Sequence, residues 1–109
     1  MNIPQITSFI NVNNGSTTEI SKGGIIAITG YFLSYDEENP TEGFFIQVDN
    51  GQSFPLVVID KQVDINDYSY SYLLSTDILG NGSAYIYFKQ GNYIIRFPED
   101  NSWLTIVEE

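Results

Sequence analysis

Apolar and polar residues alternate with a period of two in short runs along this chain, and no long window carries a helical period. Pro4–Val12 (PQITSFINV) predicts an edge-type strand with proline at its first position, where a missing N–H is tolerated. Asn13-Asn14-Gly15-Ser16 is a turn, and Gly24–Tyr35 (GIIAITGYFLSY) is the most apolar strand. Gly30 inside it marks a bulge or a close backbone approach. Asp36–Glu42 is a solvated loop carrying Asp36, Glu37, Glu38 and Glu42.

Gly43–Asp49 and Gln52–Ile59 flank Asn50-Gly51, the strongest short-range hairpin signal in the chain, which predicts a two-residue type I′ turn. Pro55 makes the second arm an edge or a bulged strand. Asp60–Asp67, with Asp60, Asp64 and Asp67, reads as a loop. Tyr68–Ser75 (YSYSYLLS) alternates tyrosine with serine, so this strand has two chemically different faces. A single helical turn is expected within Thr76–Gly82. Ser83–Phe88 and Tyr93–Phe97 form a second hairpin, Pro98–Ser102 turns the chain, and Trp103–Val107 is the closing strand. Turn residues recur every 8–12 residues, roughly the spacing of a sandwich or barrel. The expected core draws on Ile6, Phe9, Ile26, Ile28, Phe32, Phe45, Val57, Leu73, Ile86, Phe88, Ile95 and Trp103.

Residues Pro4-Gln5-Ile6-Thr7-Ser8, followed by Gly23-Gly24-Ile25-Ile26-Ala27-Ile28-Thr29-Gly30-Tyr31-Phe32-Leu33, resemble the opening of an IPT/TIG-type bacterial immunoglobulin-like domain. Ile78-Leu79-Gly80-Asn81-Gly82 is similar to the turn that leads such modules into their last hairpin. The family's proline at the end of the first strand is replaced here by Ile10-Asn11. The resemblance implies one all-β domain over residues 1–109, an immunoglobulin-like antiparallel β-sandwich of seven to eight strands. It also implies an accessory role, since similar modules are appended to surface proteins, carbohydrate-active enzymes or DNA-binding proteins.

Composition narrows the chemistry. The chain has 14 acidic and 4 basic residues, no histidine and no cysteine, for a net charge of −10. A neutral-pH imidazole base, a thiol nucleophile, a disulfide framework and His- or Cys-ligated zinc are thereby excluded. Lys22, Lys61, Lys89 and Arg96 are too few and scattered for a basic patch, so direct nucleic-acid and anionic-membrane binding are disfavoured. Arg96 is expected to pair with a carboxylate. The start Met1-Asn2-Ile3-Pro4-Gln5 carries no basic, apolar leader, which places the chain in the cytoplasm if Met1 is the native start, or outside the cell within a longer protein. Asn14-Gly15-Ser16 and Asn81-Gly82-Ser83 match the N-glycosylation pattern.

Three groups of residues bear on function. Tyr68, Tyr70 and Tyr72 on one strand face form a stacking platform for a sugar ring or a partner protein, or else they pack into the sandwich. Asp36, Glu37, Glu38 and Glu42 in one segment and Asp60, Asp64 and Asp67 in another offer oxygens of the kind Ca²⁺ takes, or else form solvated acidic loops. The EF-hand pattern is absent. The acidity as a whole either maintains solubility or imitates a nucleic-acid backbone within a basic groove. The expectation is a non-catalytic interaction module with no cofactor, binding a protein or glycan through a sheet face or loops. The alternative is a small acidic inhibitor of a nucleic-acid-binding enzyme. Homodimerisation through an edge strand is a further expectation.

Overall fold

Ten strands fold into two packed sheets in the computed structural model, which describes residues 3–74 and 82–108. They are β1 (Gln5–Asn11), β2 (Glu19–Ser21), β3 (Ile25–Tyr31), β4 (Gly43–Val48), β5 (Ser53–Pro55), β6 (Val58–Asp64), β7 (Asp67–Leu73), β8 (Gly82–Gln90), β9 (Tyr93–Phe97) and β10 (Leu104–Val107). One sheet runs β1-β3-β7-β6. The other runs β2-β10-β8-β4-β5, with β9 also paired to β8. The two sheets pack face to face, so the fold is an all-β sandwich. The helical turn expected after β7 lies outside the described residues, and Gly82 opens β8.

The strand count exceeds the expected seven to eight for local reasons. β5 is only three residues long because Pro55 stops the second arm of its hairpin, after which the chain crosses to the other sheet as β6. Asp60–Asp64, read as loop, belongs to β6, an edge strand whose side chains beyond Val58 are exposed on both faces. Such a strand needs no apolar alternation, and that signal is missing from its sequence. β2 pairs with β10 in parallel, a departure from the all-antiparallel expectation.

The turns follow glycine chemistry. The β4–β5 hairpin is closed by a three-residue loop: Gly51 N–H donates to the Val48 carbonyl and Val48 N–H to Gln52. Positive φ falls on Gly51 alone in this loop, in place of the I′ pair expected for Asn50-Gly51. Gly30 fulfils its expectation in both senses. β1 slips register between Ile6 and Ser8 beside it, and a Cβ at Gly30 would lie 2.0 Å from the Gln5 carbonyl oxygen.

The core lies between the sheets: Phe9, Ile26, Ile28, Tyr70 and Tyr72 from the first meet Phe44, Ile46, Ile86, Phe88 and Leu104 from the second. Burying each such side chain contributes about 1.5–3 kcal/mol. Four core expectations need correction. On β4 the inward residue is Phe44, not Phe45, because the register opposite β8 pairs Phe44 with buried Phe88. Val57 sits in the sheet-to-sheet crossover, 73% exposed, and Trp103 precedes the last strand, 43% exposed. Phe32 is half-buried and ends the run of β3 through a left-handed backbone (φ 56°), fixed by its N–H to Asn66 O at 3.1 Å and by Gln90 Nε2 on its carbonyl at 3.0 Å. Buried Asn11 pins the chain where it changes sheets, with Nδ2 donating to Ser21 Oγ at 2.9 Å and Oδ1 accepting from Asn13 N–H.

Candidate functional site

The Tyr68–Tyr72 face is turned inward. Tyr70 and Tyr72 are 1% and 0% exposed and Tyr68 is half-buried, so these rings are core and not a solvent-facing platform. The reason is local: serines 69 and 71 lose less by facing out than tyrosines do, and the rings pack on Phe44 at centroid distances of 5.3 Å (Tyr70) and 5.4 Å (Tyr72). Tyr70 Oη donates to the Leu33 carbonyl at 2.8 Å. The Tyr72 hydroxyl interacts with Tyr35 but makes no well-formed hydrogen bond among the described residues. Burial pushes both hydroxyls well above the ordinary tyrosine range, and nearby Tyr35 adds to this.

The acidic loop between β3 and β4 uses its carboxylates on itself and its neighbours. Glu42 accepts from Asp36 N–H at 3.1 Å and from Gly91 N–H at 3.0 Å, bridging the loop to the β8–β9 turn. Those two backbone donors, Asp36 first, hold its carboxyl below the usual glutamate range. Asp36 accepts from Glu38 N–H at 3.0 Å, and Glu37 pairs with Lys61 at 3.3 Å. Asp60 and Asp64 sit on β6 and Asp67 opens β7, separate from that loop. Among the described residues no group of three or more carboxylates converges on a point that holds a metal ion.

Aromatic side chains instead gather on the outer face of the other sheet. β8 sends Ala84, Ile86 and Phe88 inward, so Tyr85 and Tyr87 face out. Phe45 on β4, one residue from inward Phe44, stacks on Tyr87 (5.1 Å, 13° between rings). Tyr87 neighbours Tyr85 at 6.2 Å, and Tyr85 meets the exposed Trp103 edge-on at 5.0 Å. Arg96, brought opposite Tyr87 by β9, makes no close ion pair among the described residues, although, after the hydrogen bonds from Ser102, its charge helps hold the Asp100 carboxyl below the usual range. The Arg96 guanidinium lies 4.1 Å from the Tyr85 centroid and 5.9 Å from that of Trp103, and it donates to the Pro98 carbonyl. Tyr87 Oη and Ser53 Oγ share a hydrogen bond of 2.6 Å at the rim. Four rings and a cation thus form a continuous row across β4, β8 and the entry to β10.

A sequence signal for this row exists. Where Ala84, Ile86 and Phe88 claim the core at period two, the tyrosines between them are left outside, and in Phe44-Phe45 one ring of two must face water. Comparison of the chain with protein-family models, with curated proteins and with solved structures returns no match.

Proposed function

We propose that this chain is a non-catalytic interaction module that engages a protein or glycan partner through the outer face of the β4–β8–β10 sheet. The observation that carries the reading is the row Phe45–Tyr87–Tyr85–Trp103 with Arg96 laid on it. An outward sheet face is ordinarily polar. Tyrosine, tryptophan and arginine are the residue types that dominate binding energy at interfaces, because they offer large contact area with a polar tip. Stacked against one another, Phe45 and Tyr87 present ring edges, which suits the broad, mixed surface of a protein better than the flat face of a sugar. The absence of histidine and cysteine supports a role without catalysis.

The test compares the wild-type chain with a Tyr85→Ala/Trp103→Ala variant on a glycan array and in crosslinking to proteins of its source cell. Partner signal lost in the variant, with an unchanged fold by circular dichroism, is the expected result. Signal that survives in this variant but disappears in Asp36→Asn/Glu37→Gln/Glu38→Gln, and weakens steeply with salt, would replace this reading with the acidic-inhibitor one.

A further inference from the structure

We propose that β6 is a strand-addition edge that accepts an extended segment of a partner protein in which apolar and basic residues alternate. This surface lies on the sheet opposite the aromatic row and does not rest on the reading above. β6 is one of two seven-residue end strands of its sheet, β1 being the other, and no strand lies on its outer side among the described residues. Unlike β1, which buries Ile6, Phe9 and Asn11, β6 is exposed at every position after Val58. By contrast, β2 and β5, the end strands of the other sheet, span three residues each, and β5 closes on Pro55. An unpaired ladder of N–H and C=O groups is a template for another chain. Ile59 and Val63 are exposed along it, and the turn after it places Ile65 85% exposed in a left-handed backbone (φ 58°). For a β-branched residue that backbone conformation is strained, and the side chain it holds out is exposed to solvent.

Charge selects the occupant. Asp60 and Asp64 share one face of β6, Asp67 sits opposite Asp64, and Glu37 approaches from the acidic loop. Lys61 is folded back, 3.3 Å from Glu37 and 5.8 Å over the Tyr70 ring, so it leaves the edge open. Where β6 begins, a groove of about 290 Å³ runs between Tyr35, Phe44, Leu56 and Val58, rimmed by Glu37 and Glu42. Aromatic walls under carboxylates suit a lysine or arginine side chain. A second copy is the wrong occupant: two chains of net charge −10 would bring Asp60 and Asp64 of both onto one ladder. The bulge between Val58 and Asp60 confines regular pairing to the stretch from Asp60 to Asp64.

The experiment titrates the isotope-labelled chain with an end-capped peptide of alternating valine and lysine, followed by amide NMR shifts. Three controls accompany it: the same peptide N-methylated at alternate backbone nitrogens, the same peptide with glutamate for lysine, and an Asp60→Asn/Asp64→Asn protein. We expect shifts centred on residues 58–64 and the groove, binding at least tenfold weaker for both control peptides, and a severalfold loss in the protein variant. Equal binding by the N-methylated peptide, no binding, or a peptide-sensitive dimer in sedimentation would each overturn the proposal. Shifts confined to Tyr85, Arg96 and Trp103 would overturn it while favouring the aromatic face, and Tyr85→Ala/Trp103→Ala should leave peptide binding at β6 unchanged.

Discussion

In β7 the residues between the tyrosines are Ser69 and Ser71; in β8 the residues flanking and between them are Ala84, Ile86 and Phe88. The two strands share a period and a dominant aromatic, yet β7 buries Tyr70 and Tyr72 while β8 turns Tyr85 and Tyr87 to the outside. The more apolar of the two alternating sets takes the core, and tyrosine ranks between serine and isoleucine. Tyrosine is therefore structure in one sheet and surface in the other. The buried hydroxyls are costly where unpaired, about 1–3 kcal/mol each, which ring burial offsets.

That contrast can be broken most forcefully by truncation. Tyr72→Ala should lower stability by roughly 3–5 kcal/mol, as large-to-small core changes do. Tyr87→Ala should cost about 1 kcal/mol, since it loses half-exposed stacking and a solvent-exposed hydrogen bond to Ser53. Urea unfolding of the two variants measures the gap, and comparable losses would mean that the outer row belongs to the structural core.

Removing single hydroxyls sharpens the comparison within β7. Tyr70→Phe should cost about 1–2 kcal/mol, because it strips the Leu33 carbonyl of its donor. Tyr72→Phe should be neutral to slightly stabilising, because its hydroxyl holds no well-formed bond. Alkali probes the same pair. Unfolded tyrosines ionise near pH ~10, whereas burial keeps these two protonated well above that. Their contribution is intact below that pH and is lost as pH rises beyond it, so stability should fall in alkali, and less so for Tyr72→Phe.

The smallest effect belongs to Glu42. Its carboxyl is held below the ordinary range by backbone donors, so its contribution is present at neutral pH and is lost as pH falls through the folded-state value. Reduced protection of the Asp36 and Gly91 amides in acid, measured against their intrinsic exchange rates and absent from the pH profile of Glu42→Gln, is the expected result.

The sandwich was legible because glycine, asparagine and proline punctuate apolar alternation at sandwich spacing, and Gly30 announced its close approach. What stayed hidden has a common cause: facing and edge position are settled between strands. β6 carries no alternation because both of its faces meet water, and the Phe44-Phe45 pair reveals which ring is inside only once β8 sets the register. The aromatic row escaped for the same reason, since Phe45, Tyr87, Tyr85 and Trp103 lie on three separate segments.

The parallel pairing of β2 with β10 has a mechanical meaning. Because the strands run the same way, the chain enters β2 and leaves β10 at opposite ends of their ladder, which joins Glu19 to Thr105 and Ser21 to Val107 and is extended by Lys22 N–H on the Val107 carbonyl. Tension between those two points slides the strands past each other and loads every bond together, where a hairpin would unzip one bond at a time.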